Sequence, residues 1–352
     1  MNNIIISGIQ QVGIGVANLP DAWKWYRKHF GTDIRIFEDE AEAKLMLPYT
    51  GGKPRSRHAA LALNMQGGGG FEIWQYKGRI PESPKKPIQL GDFGIFAVKI
   101  KSKDVEASHQ LYASQGLIIS PLVKDPDGKD NFFVNDPYGN YFQIVNGNSW
   151  FSDEKKLTGA AYGVLIGVSD IEKSKRFYNE ILGYDEVIYD STASFDDLTE
   201  IPGGNNIHRR VLLKHSKSRE GAFSRVLGDS QIELFQVRDR EANNIFKDRL
   251  WGDLGFIHLC YDINGMKELR EKCVSLGHPF TVDSSNSFDM GEAAGHFSYI
   301  EDPDGTLIEF VETHKVPILK KLGWYLNLKK RNPHKSLPGW MLRSLAFNRI
   351  KD

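Results

Sequence analysis

Cysteine is nearly absent from these 352 residues: only Cys260 and Cys273 occur. Two thiols, one in an apolar strand-like run and one in a helix-like run, exclude a disulfide framework and fit a reducing, cytoplasmic compartment. Long apolar runs are missing too. No stretch reaches the roughly 18 residues a membrane-spanning helix needs, and the opening Met1-Asn2-Asn3-Ile4-Ile5-Ile6-Ser7 has neither a basic start nor a cleavage site. Net charge is also lacking, with 45 Lys and Arg against 45 Asp and Glu. The balance is uneven along the chain, however. Residues 316–352 hold nine basic residues and one Asp, leaving 36 against 44 in the body. No basic patch on the body combines with a recognition helix or aromatic platform, which argues against nucleic acid as a partner. The glycine clusters Gly51-Gly52, Gly67 to Gly70 and Gly203-Gly204 lack the Lys-Ser/Thr that follows a phosphate cradle, and read as loops or lids.

What is present is a repeat. Ile9 to Val16 reads as a strand, followed by a helix opening at Leu19-Pro20-Asp21, with Trp23, Tyr26 and Phe30 on one face and Gly31 as its stop. The pattern recurs as Tyr162 to Val168, then a helix from Asp170-Ile171 to Gly183. The pairs Trp25-Tyr26 and Phe177-Tyr178 fall at matching positions. A shorter version, strand then helix ending in Gly, occurs at Phe93–Gly116 and at Phe256–Gly277, with an offset of 161 between the closing glycines. The turns Asp136-Pro137-Tyr138-Gly139-Asn140 and Asp302-Pro303-Asp304-Gly305-Thr306 each lead into a last strand. The chain therefore reads as four βαβββ modules, an α+β fold rather than an irregular one. Two modules per domain give 1–150 and 157–315, divided at the polar stretch 146–156. Residues 316–352 follow as a basic amphipathic tail with Trp324, Tyr325, Trp340 and Phe347, expected to be helical and to pack on the acidic body or on a second subunit in a homodimer. Membrane contact by the tail is the less favoured alternative.

One histidine stands inside an apolar run, Gly255-Phe256-Ile257-His258-Leu259-Cys260-Tyr261, and 51 residues later Glu309 stands inside another. Buried unpaired, either group would be costly, so a metal ion or a hydrogen-bonded ion pair is expected there. Strand alternation places His258 on one face with Phe256 and Cys260, Glu72 with Trp74, and Glu309 with Leu307 and Val311.

The strand, Asp/Asn-Leu/Ile cap and Phe/Trp-Tyr helix, together with the Asp-Pro-x-Gly-x turn, resemble the vicinal oxygen chelate superfamily, which includes glyoxalase I, methylmalonyl-CoA epimerase, extradiol dioxygenases and bleomycin-resistance proteins. The resemblance covers about residues 1–315. It implies two glyoxalase-like domains with curved mixed sheets that cup a divalent metal, ligands lying on the first and fourth strands of each module. Those positions are Gln11 and Glu72, Ala97 and Gln143, Gly163 and Glu233, and His258 and Glu309. If modules pair within each half, neither set is complete. If module one pairs with four and two with three, Gln11, Glu72, His258 and Glu309 form a full set, and Ala97, Gln143, Gly163 and Glu233 a degenerate second site.

By that resemblance the cofactor is one divalent ion (Zn, Ni, Fe, Mn or Co) and Glu309 the catalytic base. Trp74 and Tyr299 line the pocket for a small-molecule substrate, and the chemistry is that of a glyoxalase-like lyase or isomerase. A metal-free binding protein of the bleomycin-resistance type and an iron-dependent extradiol dioxygenase are the alternatives. The opening and arginine contacts of glutathione-using members are not evident around Gln11, which disfavours a glutathione hemithioacetal. His208, His215 and His296 remain spare ligand candidates.

Overall fold

The computed structural model describes residues 4–117, 120–285, 288–289, 294–319 and 324–351. The first module comprises β1 (Ile5–Gly15), α1 (Leu19–Phe30), β2 (Ile34–Glu42), β3 (Ser56–Leu63) and β4 (Gly70–Tyr76). The second has β5 (Gly94–Ser102), α2 (Val105–Ser114), β6 (Val123–Lys124), β7 (Asp130–Asn135) and β8 (Tyr141–Asn146). The third runs β9 (Thr158–Gly167), α3 (Ile171–Leu182), β10 (Glu186–Ala193), β11 (His208–Lys214), a single turn α4 (Ser224–Leu227) and β12 (Gln231–Val237). The fourth runs β13 (Gly255–Asn264), α5 (Met266–Ser275), β14 (Val282–Asp283), β15 (Phe288–Asp289), β16 (Ala294–Glu301) and β17 (Leu307–Thr313).

The helices begin and end where side-chain chemistry tells them to. Asn18 and Asp170 accept from backbone N–H groups of the first turns of α1 and α3, and Gly31 and Gly183 close them in the left-handed conformation at φ 62° and 79°.

The modules pair across the halves. One sheet has the order β14-β16-β17-β13-β1-β4-β3-β2, with β15 added on β16, and so joins modules four and one. The other has the order β10-β11-β12-β9-β5-β8-β7-β6 and joins three and two. The joints are antiparallel, β1 on β13 and β5 on β9, while each first strand lies parallel to the last strand of its own module. One core takes in the helix-bearing faces of both sheets, through residues such as Val12, Phe30, Phe71, Phe142, Val164, Phe177, Leu259 and Phe310. Each opposite face forms its own cup. The first is lined by Ala59, Trp74, Tyr76, Ile257 and Tyr299, the second by Phe96, Ala97, Phe133, Leu165 and Phe235.

Two motifs recognised separately in the sequence meet in space. The Tyr26 hydroxyl, on α1, donates to Asp136 at 2.6 Å, and that of Tyr178, on α3, donates to Asp302 at 3.0 Å. The other oxygen of each aspartate holds its own turn, accepting from the N–H groups of Tyr138 and Asn140 in one case and of Asp304 and Thr306 in the other. These bonds stay within a half, whereas the sheets swap between halves, so all four modules are tied together.

The tail differs from the helical expectation in its first part. Lys315–Leu319 and Trp324–Asn327 form a two-stranded sheet, β18 and β19, and among the described residues of the tail only the later α6 (Gly339–Arg343) and two 3₁₀ turns are helical. The tail docks through its aliphatic residues: Leu328, Leu337 and Leu342 pack with Val226 and Leu227, and Arg349 pairs with Asp33 and Glu154. Trp340 and Phe347 stay 64% and 92% exposed. Ile318, Leu319, Trp324 and Tyr325 have side chains outside the described set, and Leu322 lies outside the described residues.

Replacing a buried charge-assisted hydrogen bond leaves the carboxylate under-satisfied. Tyr26→Phe should therefore lower the unfolding free energy by about 1.5–3 kcal/mol in urea titrations, with no change in metal content; an unaltered midpoint would contradict the linking role given to Asp136.

Candidate metal centre

Two bulges build the first cup. The β1–β13 register slips at Gln10, so that Gln11 faces Cys260, and again at Ile257, so that Gly13 faces His258 and Ile14 faces Phe256. Ile257 and His258 consequently both turn to the cup, while Phe256 joins the core on the other face. The alternation expected for this strand is corrected here: His258 shares its face with Ile257 and Cys260, not with Phe256. Gln10, the neighbour that a slip of register would turn inward in place of Gln11, reaches the same face and accepts from the Cys260 thiol at 3.7 Å. Both cysteines are free and buried.

Gln11, Glu72, His258 and Glu309 come together, one residue from each of four adjacent strands. His258 Nε2 lies 3.2 Å from Glu72 Oε2 and 3.1 Å from Glu309 Oε2, and Gln11 Nε2 donates to Glu309 Oε2 at 3.4 Å. His258, Glu72 and Glu309 each offer a ligand atom within 4.8 Å of the others. His258 is held from both sides. Gly13 lies so close that a Cβ there would come 2.3 Å from the imidazole, and the Trp251 ring is nearly parallel to it at 6.1 Å. Tyr299 faces Glu309 across β16–β17, its ring edge-on to His258 at 5.6 Å. Trp74 is fully buried against Tyr76 and Trp251.

The electrostatics are those of an anionic pocket. Burial opposes protonation of His258, but the carboxylates of Glu309 and Glu72 outweigh it and lift the imidazole to about 9. Burial likewise works against ionised Glu72, and the attraction of the His258 imidazole 3.2 Å away overcomes it, holding the carboxyl below its usual range. Burial, then the nearby Glu309 charge, drives the Cys260 thiol and Tyr299 hydroxyl well upward, so both stay protonated.

These residues fit a divalent cation. Neither ring nitrogen of His258 makes a hydrogen bond of acceptable angle, despite the close carboxylates, and Gln11 Oε1 is also buried without a partner. Two carboxylates against one imidazole leave negative charge in excess of what the site neutralises. An N···O separation near 3.1 Å is roughly what two metal–ligand bonds of about 2.1 Å span at a right angle. The Glu72 and Glu309 side chains keep 12% and 9% exposure while His258 keeps none, so the carboxylate side is the open one.

The second cup contains a different solution. At its four equivalent positions, Ala97 is buried among apolar residues, and Gln143 donates to Asn131 Oδ1 at 2.9 Å. A Cβ on Gly163 would come 2.1 Å from the Gln231 carbonyl oxygen. Glu233 is bound by protein cations. Lys99 Nζ lies 2.6 Å away, Arg210 Nε donates to it, Tyr189 donates at 2.6 Å, and Arg210 Nη1 also grips Asp197 at 2.7 and 2.9 Å. Burial disfavours the charged Glu233, but Arg210 and Lys99 reverse this and depress it to about 2. Lys99 and Arg210 were missed in the sequence reading, although Lys99 could have been found as a charge inside the apolar run Ile95 to Ile100. The spare histidines lie elsewhere: His208 contacts the Gly203 carbonyl, His215 the Leu182 carbonyl, and His296 pairs with Asp283 at 2.5 Å.

Three outcomes follow. Gly13→Ala should push His258 aside and weaken zinc or nickel binding at least tenfold in calorimetric titrations, with a lower melting temperature; wild-type affinity would contradict the close packing. Arg210→Met should cost about 3–5 kcal/mol in urea unfolding, because Glu233 and Asp197 would be left buried and under-compensated. In the metal-free protein His258 has a folded pKa above its unfolded 6.5, so its stabilising contribution is complete below pH 6.5 and is lost as pH rises through about 9. Metal must displace that proton, so affinity should climb about tenfold per pH unit from 7 to 9 and then level off, read by competition with a chelator.

No curated protein matches the sequence. Among solved structures, glyoxalase I from Zea mays aligns with a TM-score of 0.55 at 15% identity, over 87% of this chain and 92% of that one. A putative dioxygenase from Bacillus subtilis aligns at 0.55 and 11% identity, over 88% and 86%. At such identities these likenesses speak for the fold alone. The sequence itself matches the profile described as Glyoxalase/Bleomycin resistance protein/Dioxygenase superfamily over residues 8–144 and 163–310, once in each half. With both halves matched and the two curved mixed sheets in place, the chain belongs to the glyoxalase/bleomycin-resistance/dioxygenase superfamily, in tandem form.

Proposed function

We propose that this chain is a metal-dependent lyase or isomerase of the glyoxalase and epimerase kind, with one divalent-metal site held by Gln11, Glu72, His258 and Glu309. The observation that carries the reading is the convergence of His258, Glu72 and Glu309 from strands at the two ends of the chain, with the imidazole nitrogens left without hydrogen bonds. A half-turn of the Gln11 amide would present its unpartnered oxygen as the fourth donor. A bound divalent ion would supply Lewis acidity to the adjacent oxygens of a small substrate and stabilise an enediolate or enolate.

The remaining work falls to side chains. Glu309, on the open carboxylate side of the site, takes the proton from one carbon and returns it to the next. Glu72 and Gln11 complete the ligand set, and Gly13 and Trp251 fix the plane of His258. The protonated Tyr299 hydroxyl is placed to donate to a substrate oxygen. The aromatic wall of Trp74, Trp251 and Tyr299 keeps water from the reactive intermediate.

The alternatives are less well supported. A metal-free binding role drew on incomplete ligand sets within each half, and the exchanged pairing of modules removes that argument. An extradiol dioxygenase needs two histidines and a carboxylate, whereas the complete set has one histidine, and position 163 has no room for another.

Purified protein supplied with zinc, nickel, manganese, iron or cobalt should retain one ion per chain. His258→Ala and Glu72→Ala should each abolish retention, although the two residues lie in opposite halves. Glu309→Gln should keep the ion while losing turnover by a factor on the order of 10²–10⁴. Wild-type protein that retains none of these ions would overturn the reading.

A further inference from the structure

A cavity of about 300 Å³ adjoins the first cup, lined among others by Tyr49, Phe93, Phe246, Leu250, Trp251 and Ile257. Its walls are mostly aromatic and aliphatic, and its volume is at the lower bound of small-molecule sites, enough for a single ring. It shares residues with the metal centre. Trp251 is the ring stacked on His258, Ile257 precedes His258 on the cup face, and Leu307, also in the lining, stands two residues before Glu309 on the same face.

The lining also includes Arg249, only 9% exposed. Its guanidinium has five N–H donors, and three are used: Nη1 donates to the carbonyls of Glu82 and Leu254, and Nη2 to that of Ile245. All three acceptors are neutral. Among the described residues no carboxylate lies within ion-pair distance of Arg249, the nearby Asp253 being held by Arg79 at 2.7 Å. Nε is buried without any partner, and one Nη2 hydrogen remains over. A buried cation that lines a cavity and is braced only by neutral carbonyls, with no carboxylate beside it, is matched to an anion bound in that cavity.

We propose that this cavity is the specificity pocket of the enzyme, and that the substrate class is a single-ring aromatic or similarly bulky apolar compound bearing a carboxylate, the acid recognised by Arg249 and the ring by the aromatic wall. The assignment rests on the metal-centre reading for its role in turnover, but not for binding, and the experiment separates the two. Phenylacetate, phenylacetamide and acetate are titrated calorimetrically into metal-free and metal-loaded protein, with metal content measured in the same preparations. Phenylacetate should bind both forms at least tenfold more tightly than phenylacetamide or acetate. Arg249→Gln should remove the preference for acid over amide, and Leu250→Trp, which fills the cavity and leaves every Arg249 hydrogen bond in place, should abolish binding of both ring compounds. Equal affinity for acid and amide in the wild type, or unchanged binding by Leu250→Trp, would overturn the proposal even if Arg249→Gln fails to fold. Acid binding that persists in protein unable to retain metal would sink the metal centre and leave the pocket standing. Metal retention without acid binding would do the reverse.

Discussion

The antiparallel pairing of β1 with β13 joins residues 5–15 to residues 255–264, and the first cup depends on its register. Two bulges in that pair decide which side chains face inward. Without the slip at Gln10, Gln11 would turn toward the core; without the slip at Ile257, His258 would sit with Phe256. The flanking parallel strands β4 and β17 then carry Glu72 and Glu309 to either side of the joint. An imidazole with two carboxylates is stable in such a place only if something compensates the excess negative charge, and this requirement ties the fold to its chemistry.

The other joint, β5 with β9, has the same geometry and answers the same demand differently. Lys99 faces Gly163 as Cys260 faces Gln11, and its ammonium reaches Glu233, the counterpart of Glu72. With Arg210 from β11, the second cup carries its own cations and needs none from solution. Duplication has thus produced one cup with an electrostatic vacancy and one in which that vacancy is filled by side chains. The Tyr26–Asp136 and Tyr178–Asp302 bonds tie each helix to the neighbouring module of its half, so the two cups are held in one body even though their sheets exchange modules.

Much of this was legible in the sequence because the repeat is written in residue types that backbone geometry demands: the caps Asn18 and Asp170, the stops Gly31 and Gly183, and the Asp-Pro turns. The four residues that gather in the first cup were named from their module positions, and the exchanged pairing was one of two arrangements left open. What could not be read was anything set by register. Phe256 was placed on the wrong face because strand alternation fails at a bulge, and no local feature of Phe256-Ile257-His258 announces one. Gly13, Trp251 and Arg249 went unnoticed for a related reason. Their roles come from what lies opposite them in space: His258 is 245 positions from Gly13, Trp74 is 177 from Trp251 and Glu82 is 167 from Arg249. The tail was read as helical from its apolar spacing, but Lys315–Leu319 forms a strand because Trp324–Asn327 returns beside it.

Anomalous scattering from a crystal soaked in zinc or manganese, recorded on both sides of the metal's absorption edge, tests the central claim most directly. The account predicts one strong peak per chain, between Glu72, His258 and Glu309 with Gln11 beside it, and none beside Glu233. A peak at Glu233, or none in the first cup of a fully soaked crystal, would contradict it.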